Sequence, residues 1–66
     1  MNENYVVVKL MDGVIPIAWS KPMTEKLANR KATANNLLYH NGYSSYHVWT
    51  VEKLKSIVKN PFEGIE

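Results

Sequence analysis

Sixty-six residues without a cysteine, carrying seven lysines and one arginine against six acids for a formal charge of +2, describe one small domain. That composition excludes disulfides and thiolate metal sites, and so mild a basic excess does not by itself imply nucleic acid. A chain of this size buries only about 60% of the surface its unfolded form exposes, which leaves self-association as the common remaining way to stabilise it.

Residues 5–11, YVVVKLM, are rich in β-branched side chains, and Asp12-Gly13 is a hairpin signal before VIPIAWS. Pairing Val6, Val8 and Leu10 opposite Trp19, Ile17 and Ile15 makes one sheet face wholly apolar. The other face then carries Tyr5, Val7, Lys9, Met11, Val14, Pro16 and Ala18. Pro16 cannot donate to a ladder, so the second strand belongs at an edge, on either a two-residue turn or a four-residue loop spanning Met11 to Val14.

The stretch from Ser20 to Gly42 reads as a helix, with Pro22 in the first turn after a Ser20 or Lys21 cap and Gly42 as the closing residue. Met23, Leu27, Ala34, Leu37 and Leu38 share one stripe, flanked by Ala28 and Tyr39, and this stripe is the expected cover for the apolar hairpin face. Lys31 falls inside the stripe, where its stem is expected to snorkel along apolar surface.

Residues 43–49, YSSYHVW, form a third strand. Thr50 caps a short helix in VEKLKSIVKN, with Val51, Leu54, Ile57 and Val58 inward and Trp49 stapled onto Leu54. Residues 60–66 are expected to be a loosely held tail unless Phe62 docks on the body. A helical crossover between strands two and three, with the most apolar strand in the centre, gives an α+β fold. It is a small two-layer ββαβα domain with a three-stranded sheet in the order 2-1-3, a long helix on one face and a short C-terminal helix. The short helix is the natural cover for the face the long helix leaves open.

Residues suited to chemistry are sparse. Ser45 and His47 share a strand face but lie roughly 7 Å apart at the backbone, and no acid is near in sequence to orient the histidine. His40 and His47 lack a third ligand at metal-site spacing, the acids are scattered singly, and the glycines form no phosphate-binding loop. The expectation is a protein that is not an enzyme and holds no metal or cofactor.

Two binding readings remain. The aromatic and aliphatic residues Tyr39, Tyr43, Tyr46, His47, Tyr5 and Met11 would form a patch for a protein partner, and the open edges of strands two and three offer pairing between chains, so a homodimer is expected. Alternatively, Lys26 and Arg30, one helical turn apart, with Asn29 and Thr33 beside them and Asn36 and His40 beyond, would present a basic and amide face to nucleic acid. No apolar run approaches the roughly 20 residues that span a bilayer, and the start MNENYVVVKL lacks the pattern of a signal peptide, so a cytoplasmic protein without membrane contact is expected. The preference for lysine over arginine and the seven asparagines suggest an AT-rich bacterial or phage genome, and the chain has the general look of a short phage or prophage reading frame.

Overall fold

The computed structural model describes residues 3–39 and 42–62. Strands β1 (Tyr5–Met11), β2 (Ile15–Trp19) and β3 (Ser44–Thr50) form an antiparallel sheet in the order β2-β1-β3, with helix α1 (Glu25–Tyr39) between β2 and β3 and helix α2 (Val51–Ile57) after β3. This is the expected α+β fold, with Pro16 on an edge strand.

The hairpin turn is built from Asp12 and Gly13, both at positive φ (56° and 71°), and is closed by the Val14 N–H donating to the Met11 carbonyl at 3.1 Å. Two consecutive left-handed residues match the twist of the flanking strands, which is why the Asp-Gly pair sits here. The register differs from the expected one. Met11 pairs with Ile15 and Leu10 with Pro16, then Ile17 bulges out, and Lys9 pairs with Ala18 and Val8 with Trp19. Only Trp19 of the three expected partners joins the face of Val6, Val8 and Leu10; Ile15 and Ile17 are exposed. The bulge absorbs the mismatch between the turn and a strand that must carry a proline.

Beyond Trp19 the chain continues along β1 without regular pairing. The Ser20 N–H donates to the Val7 carbonyl, the Ser20 hydroxyl accepts from the Val7 N–H, and Met23 and Tyr5 exchange two backbone hydrogen bonds of 2.7 and 3.0 Å. Met23 is therefore held extended, and the helix cannot start at Pro22. Thr24 is the residue that caps α1, its hydroxyl accepting from the Leu27 N–H at 3.3 Å. The predicted closure at Gly42 involves residues 40 and 41, which lie outside the described residues.

The two helices take the sheet faces in the opposite sense to that expected. Val6, Val8 and Leu10 pack against Leu54 of α2, with Trp19, Trp49, Val51, Val58 and Phe62 around them. Helix α1 covers the other face, where Val7 and Met23 meet Ala28 and Ala32, bordered by Tyr5, Tyr46 and Val48. The buried side of α1 is thus an alanine row, and the predicted inward stripe is overturned: Leu27, Ala34, Leu37 and Leu38 are all exposed. The physical reason is volume. The sheet already brings Tyr5, Tyr46 and Val48 to this seam, so the helix can approach only through small side chains.

At the C-terminal side the expected cap holds. Thr50 has extended geometry and its hydroxyl accepts from the Lys53 N–H at 3.1 Å, while Trp49 and Leu54 share one cluster. Ile57, expected inward, is exposed because the chain leaves the helix there. Val58 and Phe62 fill the space instead, and the turn passes through Asn60 at φ 52°. Pro61 is buried, and its carbonyl accepts from the Trp19 indole N–H at 2.7 Å.

Candidate functional site

The six residues read as one aromatic patch do not form one. Tyr46 is half-buried against α1, below the Lys9 ammonium at 5.8 Å from its ring centre. Its backbone is clamped by Asn36, whose amide donates to the Tyr46 carbonyl (2.9 Å) and accepts from the Tyr46 N–H (2.8 Å). His47 alternates to the opposite face, opposite Val8 and exposed, with its Nε2 2.7 Å from the Ser45 hydroxyl. Tyr5 lies half-buried at the far end of the sheet, paired with Thr50 and Met23.

Three residues remain near the turn end. Met11 pairs with Ser44, the Tyr43 carbonyl accepts from the Asp12 N–H at 2.7 Å, and Tyr39 ends the helix five positions before Ser44, where β3 starts. Tyr43 is 76% exposed and Tyr39 59%, and Val14 and Ile15 of the hairpin add exposed aliphatic surface beside Met11. Strand alternation alone already puts Tyr46 and His47 on opposite faces. Placing Tyr5 far from Tyr43 required the β1–β3 register.

The pair Ser45 and His47 is closer than the backbone spacing suggested, because both side chains lean together on one strand face. A hydroxyl beside an imidazole is not by itself a catalytic arrangement. Among the described residues no group of three histidine, cysteine, aspartate or glutamate side chains gathers as a metal site would need. His40 lies outside the described residues.

The outward side of α1 holds the other candidates. Lys26, Asn29, Arg30 and Thr33 are all exposed, and Asn29, Arg30 and Thr33 line a shallow groove with Ala34 and Leu37. At 3.6 residues per turn, Lys26, Arg30, Thr33 and Leu37 follow one line, and Leu27, Lys31, Ala34 and Leu38 follow the next. Leu37 is 81% exposed, Leu38 71% and Leu27 40%. This surface is mixed basic and apolar rather than polar, and reading the leucines as core concealed it. A second groove runs between α1 and β2. Val7, Ala18 and Trp19 line it with Lys9, Lys31 and Asn35, so the stem of Lys31 lies beside apolar surface although the residue is exposed.

Fold and surface together define a small α+β domain with two half-cores and a long helix whose outer side mixes basic residues with exposed leucines. No family model matches the chain, and no curated protein or solved structure matches it either. No helix among the described residues is long and apolar enough to cross a membrane.

Proposed function

We propose that this protein is a small non-enzymatic binding module, cytoplasmic and of phage or prophage type, that docks on a host protein and self-associates. The observation that supports this reading is the outward side of α1. Leu27, Leu37 and Leu38 stand exposed on one 15-residue helix, in a domain too small to leave such surface bare without cost. The turn end, with Tyr39, Tyr43, Met11 and Val14, is a second exposed apolar area of the kind enriched at interfaces.

Affinity capture from a lysate of the native host, with and without nuclease, tests this. Retention of a protein after nuclease, and its loss from the Leu37→Ser, Leu38→Ser double variant, is the expected outcome. Capture that nuclease abolishes would transfer the function to the second reading.

That second reading is nucleic-acid binding through Lys26, Asn29, Arg30 and Thr33, and it is favoured by the exposure of all four on one side of α1, three of them along one groove. Phosphate contacts release counterions, so binding would weaken steeply with salt and respond to Lys26→Ala and Arg30→Ala. Leu37 and Ala34 in the same groove weigh against it, since base-edge or phosphate recognition gains little from exposed leucine.

A further inference from the structure

We propose that the outward side of α1 is occupied by α1 of a second copy of this chain, the two helices packing antiparallel. This rests on the protein-binding reading and names its occupant. The first support is what the sheet edges cannot do. On β2, Pro16 removes a donor and Ile17 bulges from the ladder, and on β3 the outward N–H and C=O of Tyr46 are both taken by Asn36. Prolines, bulges and covering groups are the devices that block strand pairing between chains, so two copies meeting through their sheets would find both edges interrupted.

The second support is area. Leu27, Leu37 and Leu38 are 40%, 81% and 71% exposed, which leaves most of two leucine side chains and part of a third open to be covered. A specific interface needs about 1,000 Å² of buried surface in all, so the stems of neighbouring residues contribute to it beside the leucines of both copies. A symmetric interface uses the same patch on both sides, so the second copy supplies matching leucines by construction.

The third support is charge, and it fixes the direction. Lys26, Arg30 and Lys31 lie in the first half of α1, with Glu25 its only acid, and the last turn carries no basic residue. A parallel pair would stack the three cations on their own copies. The antiparallel pair sets them beside the uncharged C-terminal half of the partner's helix, whose carbonyl end favours cations. Leu27 then meets the leucines near the other helix's C-terminus. The notch left by Ala34 between Arg30, Thr33 and Leu37 receives a side chain from the second copy.

Sedimentation velocity over a concentration series tests the assembly, and oxidative cross-linking tests the geometry, which the absence of native cysteine makes clean. The expected result is a monomer–dimer equilibrium in the tens of micromolar, weakened at least tenfold by the Leu37→Ser, Leu38→Ser double variant with its circular dichroism unchanged. Mixing Leu27→Cys with Leu38→Cys should give a cross-linked dimer of the two variants faster than either gives alone. A wild-type monomer at all concentrations overturns the proposal; if partner capture still depends on the leucines, the protein-binding reading survives it. A dimer that ignores the leucine substitutions, or Leu27→Cys cross-linking only to itself, overturns the α1 antiparallel arrangement.

Discussion

Tyr46 and Trp49 stand three residues apart on β3 and serve opposite faces of the sheet, Tyr46 against the alanine row of α1 and Trp49 against Leu54. Trp49 is half-buried with the Lys53 ammonium 4.7 Å from its ring centre, so its loss removes both packing and a cation–π contact. Trp49→Ala is expected to cost about 3 kcal/mol, the lower end for large aromatic truncations because the side chain is not fully enclosed. Urea denaturation of the variant measures it. Tyr43→Ala should leave the denaturation midpoint within error, since its side chain is largely in solvent; a large loss would place Tyr43 in the core instead.

At the scale of elements, α1 is where propensity and packing diverge. Its leucine rows give an apolar stripe that any helical wheel would turn inward, yet the contact with the sheet is made by Ala28 and Ala32. Ala28→Leu should therefore destabilise by about 1–3 kcal/mol through overpacking, against the usual benefit of a larger apolar residue. Leu37→Ser should leave the monomer's stability nearly unchanged. Equal losses in both variants would mean that the helix is rotated from the orientation described.

The hairpin, the edge placement of Pro16, the strand order and the Thr50 cap were legible in sequence because each depends on local chemistry: a left-handed turn pair, a missing donor, a central apolar strand, a hydroxyl before a helix. The helix face and the assignment of helices to sheet faces were not. They depend on how much volume Tyr5, Tyr46 and Val48 bring to one seam, which is settled by tertiary register. The candidate site depends on the same register: Leu27, Leu37 and Leu38 become surface once the alanine row faces the sheet, and Tyr5 lies at the opposite end of the sheet from Met11 and Tyr43.

The molecule as a whole has two thin half-cores sharing one strand. Val6, Val7 and Val8 are consecutive and all buried, facing α2 and α1 alternately, so β1 is enclosed on both faces although its sheet is antiparallel. Neither half can open without exposing β1. Tryptophan fluorescence reports mainly the α2 side, where Trp49 packs with Leu54 and Trp19 borders the same cluster, whereas far-ultraviolet circular dichroism is dominated by α1. The two probes should give one coincident urea transition, with a slope near the ~1 kcal/mol/M typical of the smallest domains. Separate midpoints would show that the half-cores melt independently.

The Asn36 clamp on Tyr46 has a consequence for slow motion. On the outer edge of β3, an amide proton would ordinarily exchange with solvent at nearly the rate of an unprotected chain, because no neighbouring strand holds it. Here the Tyr46 proton is held by a side chain of α1, so its exchange reports detachment of the helix rather than opening of the sheet. In deuterium oxide it should be protected about as well as the amides in the middle of α1, and Asn36→Ala should release it while the inward amides of β1 stay slow. One proton at a strand edge thereby becomes a clock for how often the long helix lifts away.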